Sequence, residues 1–98
     1  TAYEMEQYAA VRGKSGADHT FDLLATRDDG ITLHRIAIGL EVSDAPVSLE
    51  KVFAFDDKAY DCTILDKVFV AVPGLSPEGK RFADRQRIKV FEAAALEP

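Results

Sequence analysis

The sequence predicts one α/β domain with a mixed sheet: three antiparallel strands, then a helix, then a strand-helix-strand parallel crossover. Three observations carry this. The apolar runs Thr20–Arg27 and Ile31–Val42 flank Asp28-Asp29-Gly30, and an Asp-Gly pair between such runs is a strong hairpin signal. Lys67–Val72 is an unbroken apolar run, as expected of a strand covered on both faces, and Pro73-Gly74 ends it. From Ser76 the pattern turns to a helix start and then to a short strand, Ile88–Phe91, which predicts a right-handed crossover.

The first element is a strand over Tyr3–Val11, entering the loop Arg12-Gly-Lys-Ser-Gly16. In the second, Phe21, Leu23 and Ala25 share one face and Asp22, Leu24 and Thr26 the other. In the third, Ile36, Ile38, Leu40 and Val42 form the denser apolar stripe, so Glu41 points to the sparser side. Ser43-Asp-Ala-Pro46 breaks this strand, and Ser48 suits the N-cap of a helix in which Leu49, Val52, Phe53, Ala59, Tyr60 and Ile64 recur at helical spacing. Phe53 and Tyr60 are expected in the core. In the next helix Ser76 is the N-cap, Pro77 fits the first position, Glu78 complements the dipole, and Phe82 and Ala83 face the sheet.

Composition sets the outer limits. The 98 residues suffice for one modest core, so residues 1–92 are read as a single domain and 93–98 as a tail resembling vector-derived residues. The chain opens at Thr1 and is expected to lack an N-terminal part of a longer protein. No run approaches the roughly 20 apolar residues of a membrane span. Cys62 is the only cysteine, which excludes an intrachain disulfide and disfavours a cysteine-based zinc site; a reducing cytoplasm is the expected setting. A net charge of −5 argues against broad attraction to nucleic acid or an anionic membrane, although Arg12 with Lys14, and Lys80, Arg81, Arg85, Arg87 and Lys89, make two local basic patches. The second patch reads as solvated surface. Pro73–Gly79 places a helix N-terminus after a strand but lacks the Gly-Lys-Ser/Thr of a phosphate loop.

Asp22 and Glu41 are the chemically informative residues. Carboxylates on neighbouring strands can hold a hard divalent cation. A two-residue turn at Asp29-Gly30 would pair Asp28 with Ile31 and Asp22 with Ala37, leaving Glu41 four residues, about 13 Å, further along. A bulge near Gly39, a wider loop or strong twist would close that gap. In the alternative reading, Asp22 bonds loop amides near Gly16 and Glu41 ends a strand in solvent. Asp18 with His19 suggests a surface pair, and His34 a partly exposed strand residue.

Gly16-Ala-Asp-His-Thr-Phe-Asp22, the stretch Lys67–Ala83 and Arg87-Ile-Lys-Val-Phe91 together resemble the Mrr-type branch of the PD-(D/E)XK nuclease superfamily, over roughly Gly16 to Phe91. The resemblance implies a restriction-endonuclease-like mixed sheet whose usual first helix is absent here. It implies metal-dependent hydrolysis of DNA phosphodiesters, with Asp22 and Glu41 binding Mg²⁺ and a lysine assisting the nucleophile. The lysine expected two residues after Glu41 is Ser43, so Lys58, and less so Lys51, stand in as candidates from the next helix; the plain reading of Lys58 is an ion pair with Asp57 or Asp61. Arg12 and Lys14 would contact DNA. The alternative is a catalytically degenerate copy used for scaffolding or self-association, as a homodimer.

Overall fold

Strands β1 (Glu4–Arg12), β2 (Asp18–Asp28) and β3 (Leu33–Val42) form an antiparallel meander. Helix α1 (Leu49–Asp61), strand β4 (Asp66–Val72), helix α2 (Pro77–Arg85) and strand β5 (Lys89–Glu92) follow. This computed structural model describes residues 2–93; the rest of the tail, 94–98, lies outside the described residues. The strands make one sheet in the order β1-β2-β3-β4-β5, with β3, β4 and β5 parallel. The predicted fold class is present, element for element. Both crossovers step the same way across the sheet, and right-handed connections therefore place α1 and α2 on one face, where Phe53 and Phe82 meet at 5.6 Å.

The core lies between that face and the helices. Leu24, Ala37, Phe69 and Ala71 of the sheet pack with Val52, Phe55 and Ala59 of α1, Ala83 of α2 and Ile88. The helix buries the positions 52, 55 and 59, one stripe at helical spacing. This corrects the expectation for Phe53 and Tyr60, which are 55% and 74% exposed, while Phe55 is the buried aromatic. Ile64 is buried as well, but beyond the end of α1, where its amide bonds the Ala59 carbonyl.

The sparser side of β3 is the covered side. A helix can lie close only over small residues: a Cβ on Gly39 would stand 2.8 Å from Phe55 Cδ1 and 3.0 Å from Phe69 Cδ1. Ala37 and Gly39 thus sit under α1, whereas Leu40 and Val42 of the denser stripe are exposed on the open face. Counting large apolar residues therefore points to the wrong face.

The hairpin turn is wider than two residues. Asp28 pairs with Leu33, so four residues, Asp29–Thr32, make the connection. Asp29 Oδ1 accepts from the amides of Ile31 (2.9 Å) and Thr32 (2.7 Å), and Asp28 Oδ1 accepts from Gly30 N at 2.8 Å. These bonds hold the open turn that a bare Asp-Gly turn would not need. The two amides, with His34 beside them, hold the Asp29 carboxyl at a pKa of about 2. A shift of two residues preserves which side chains share a face, yet it moves Asp22 from opposite Ala37 to opposite Gly39. Glu41 is then two residues further on, about 7 Å rather than about 13 Å. Gly39 itself keeps its regular pairing with Phe69 of β4.

Among the described residues no helix is long and apolar enough to cross a membrane.

Candidate active site

Asp22 sits where regular pairing stops. The β2–β3 ladder begins at Leu23↔Ile38, and beyond it the Leu40 amide donates to Asp22 Oδ2 at 2.8 Å. Phe21 and Leu24 both enter the core though three residues apart, so the inside-outside alternation changes phase at this point. Across β2 the same spot is marked on β1: Tyr8 lies between the pairs Gln7↔Leu23 and Ala9↔Phe21 with a φ of 52°. Few bulky residues adopt that left-handed conformation. The irregularity turns the Asp22 carboxylate out of the ladder toward the gap between the strands.

That gap opens into a cleft of about 150 Å³ whose walls include Asp22, Gly39, Glu41, Lys51, Phe55 and Lys58. The fold thus brings Asp22, Glu41 and Lys58 to one place, and Lys51 with them. Lys51 and Lys58 are seven residues apart, two helical turns, so both project from one side of α1 about 10 Å apart along its axis. Lys51 Nζ stands 3.9 Å from Glu41 Oε1. Lys58 Nζ donates to the Thr20 carbonyl at 2.6 Å and lies 5.2 Å over the Phe21 ring. Its expected ion pair with Asp57 or Asp61 does not form. The ammonium is drawn instead to the end of β2 that leads into Asp22.

Ser43 carries no charge to the cleft. Its amide bonds the Val72 carbonyl at 2.8 Å and its hydroxyl accepts from Ala45 N at 3.3 Å, so the residue ends β3 and shapes the turn.

The other candidate residues lie apart. Arg12 pairs with Asp18 at 2.8 Å, both well exposed, and Lys14 Nζ sits 5.2 Å over the Tyr60 ring. Neither lines the cleft; both flank the β1–β2 loop, with Asp18 four strand residues, about 13 Å, from Asp22. His19 binds Asp61 at 2.7 Å instead of pairing with Asp18. Asp61 also takes the Ser15 hydroxyl (2.7 Å) and the Ser15 amide (3.1 Å). The Ser15 hydroxyl, then His19, pull the Asp61 carboxyl below its ordinary pKa. Of the loop amides expected to bind Asp22, that of Ser15 is held by the Asp61 carboxylate and that of Gly16 by the Gly13 carbonyl. An acid in the last turn of a helix opposes the dipole, and that was the available sequence signal for its role. No comparable signal marks Tyr8. Beside Asp61, burial pushes the Cys62 thiol up, so it is a packing residue rather than a nucleophile.

Among the described residues no three His, Cys, Asp or Glu side chains converge as a metal cluster. A carboxylate pair nonetheless suits Mg²⁺, which commonly takes one or two carboxylates and fills its remaining positions with water and substrate phosphate. The Leu40 amide engages Asp22 Oδ2 and leaves Oδ1 for a cation.

Two solved structures share the fold. A crystallised protein of unknown function superposes with a TM-score of 0.72 at 20% identity, over 90% of this chain and 48% of its own. A repair endonuclease from Pyrococcus abyssi superposes with a TM-score of 0.57 at 14% identity, over 100% of this chain and 40% of its own. The chain therefore spans less than half the length of either structure. No protein-family model and no curated protein matches the sequence.

Proposed function

We propose that this chain is a restriction-endonuclease-like domain that hydrolyses DNA phosphodiesters with Mg²⁺. The carrying observation is the convergence of Asp22, Glu41, Lys51 and Lys58 on one cleft where the antiparallel pair diverges. The fold shared with a repair endonuclease supports the reading. Asp22 and Glu41 would hold the cation. When bound, it supplies Lewis-acid neutralisation of charge on the phosphoryl oxygens and acidifies the attacking water. Lys51, beside Glu41, and Lys58, with one donor on Thr20 and two left by its chemistry, offer the ammonium that stabilises charge developing on the phosphate. Phe55 and Phe69 form the apolar floor, which lowers the local dielectric and strengthens these interactions. Arg12 and Lys14 are proposed to meet the DNA backbone further along the same edge.

The test is cleavage of plasmid and oligonucleotide DNA with Mg²⁺ or Mn²⁺. Asp22→Ala and Glu41→Ala should each lose activity on the order of a hundredfold or more, and Lys51→Ala and Lys58→Ala should show which ammonium acts. Placing a lysine back after Glu41, as Ser43→Lys in a lysine-depleted variant, should restore part of the loss. Equal cleavage by wild type and Asp22→Ala would sink the proposal.

Ser43 favours a second reading, a domain that has lost catalysis and associates with a second copy through the open sheet face where Leu40 and Val42 are exposed. Sedimentation separates the two: a dimer that never cleaves supports the second, and a cleaving monomer excludes it.

A further inference from the structure

We infer that the cavity on the other side of Asp22 receives an unpaired nucleobase, so that the substrate is DNA with a single-stranded or frayed segment rather than uninterrupted duplex. This rests on the nuclease reading above and names its substrate class. The cavity, about 160 Å³, is lined by Gln7, Tyr8, Asp22, Leu23 and Leu40. It shares Asp22 and Leu40 with the cleft, so a ligand spanning both passes the carboxylate.

Charge sorts the two halves of a nucleotide between them. The cleft sets Lys51 and Lys58 against Asp22 and Glu41, so its ammoniums, together with the cation those carboxylates would hold, suit a phosphate; the second cavity has Asp22 as its one carboxylate and no lysine or arginine to offset it, which repels a phosphate but not a neutral base. Its remaining walls match a base. Tyr8 presents an aromatic face, Leu23 and Leu40 are apolar, and the Gln7 amide offers a donor and an acceptor for a base edge. Tyr8 is 73% exposed, and its left-handed backbone holds the ring at a point where the ladder is interrupted. A local conformation that disfavours bulky side chains, kept beside the candidate carboxylate, is the pattern of a positioned functional residue. A base inside a duplex is stacked on its neighbours and has no free face to offer Tyr8.

The experiment compares wild type, Tyr8→Gly and Tyr8→Trp. Glycine suits the φ of 52° and removes a side chain that is 73% exposed, so its urea midpoint should equal or exceed that of wild type. Binding is read in EDTA by anisotropy and 2-aminopurine quenching, with a single-stranded oligonucleotide and a blunt hairpin duplex carrying the same fluorescent base. Wild type should prefer the single strand and quench its fluorescence. Tyr8→Gly should bind it about five- to a hundredfold more weakly and lose the quench, Tyr8→Trp should retain both, and duplex affinity should stay within about twofold throughout. Unchanged single-strand affinity in Tyr8→Gly, or a wild-type preference for duplex, overturns the inference. Cleavage with Mg²⁺ separates it from its premise. Asp22-dependent cleavage with no effect of Tyr8→Gly on binding removes the base cavity and keeps the nuclease; Tyr8-dependent quenching without any cleavage keeps the cavity and removes the nuclease.

Discussion

Gly39→Ala tests the claim that close approach of α1 over β3 builds the cleft. The new methyl would stand 2.8 Å from Phe55 Cδ1 and 3.0 Å from Phe69 Cδ1, well inside the roughly 3.5–4.0 Å of comfortable carbon contact. Neither ring yields easily. Phe55 is 4% and Phe69 2% exposed, and Phe55 is braced by Phe69 at 5.4 Å and edge-on by Phe21 at 6.3 Å. Overpacking of this kind costs about 1–3 kcal/mol, and replacing a strand glycine by alanine returns about 0.5–1 kcal/mol through chain entropy. The net expectation is a loss of about 1 kcal/mol, which in a domain this small lowers Tm by roughly 4–8 °C.

Urea unfolding followed by circular dichroism measures the loss directly. A smaller residue facing the new methyl should relieve it, so Gly39→Ala with Phe55→Leu should be less destabilised than the sum of the two single variants, by an interaction of about 0.5 kcal/mol or more. A Gly39→Ala protein as stable as wild type, or strict additivity with Phe55→Leu, would refute the packing argument. The cleft supplies an independent readout. Lifting α1 displaces Lys51 and Lys58 from Asp22 and Glu41, so any cleavage activity should fall further than stability accounts for.

Three other perturbations probe separate contacts. The Asp29 carboxyl titrates at about 2 in the fold against an ordinary 3.8, so its stabilising contribution is complete above pH about 3.8 and is lost as pH falls through about 2. The Tm gap between wild type and Asp29→Asn should accordingly narrow from pH 5 to pH 2, and a constant gap would contradict this. Lys67 Nζ and Asp56 Oδ1 meet at 2.6 Å with side chains only 13% and 15% exposed, so Lys67→Met should cost about 1–3 kcal/mol by leaving a partly buried carboxylate unpaired. Adding Asp56→Leu should recover most of it; a double variant less stable than the single would overturn the assignment. At Gly13 a Cβ would lie 1.9 Å from Asp61 Oδ2, so Gly13→Ala must drive Asp61 off Ser15 and His19. Amide exchange of Gly13 and Gly16, which bond Ala17 O and Gly13 O, should accelerate while β3 and β4 stay protected.

The sequence declared its elements where local chemistry decides them. Ser76 caps α2 through the Gly79 amide at 3.1 Å, as its Ser-Pro-Glu pattern implied. Ser48 occupies the N-cap of α1 without a side-chain cap bond, yet the helix begins there because the strand break and the apolar stripe already place it. The hairpin register was hidden because two aspartates compete with the bare Asp-Gly turn for backbone amides, and propensity alone does not weigh those bonds. The covered face of β3 was hidden for a different reason: Gly39 and Ala37 look like poor core residues until a phenylalanine from another element fills the space above them. Asp22 and Glu41 were legible as acids in apolar strands, but their proximity was a property of the turn, not of either strand. Tyr8 was not legible at all, since nothing in its local sequence favours a positive φ.

One helix ties these observations together. The stripe of α1 that faces the core carries Val52, Phe55 and Ala59; the flank beside it carries Lys51 and Lys58; its last residue, Asp61, holds the β1–β2 loop. Phe55 belongs to both the core and the cleft wall, so the depth at which α1 settles on Gly39 also fixes how far its two ammoniums reach. β3 does not supply that charge itself: the residue after Val42 is Ser43, whose uncharged hydroxyl accepts from the turn amide of Ala45. On the proposed reading, an ammonium borne by the helix costs the strand nothing in pairing, and it would couple cleavage to the packing of the core. A surface helix merely solvated by its lysines would show no such coupling, and the response of cleavage to Gly39→Ala discriminates between the two.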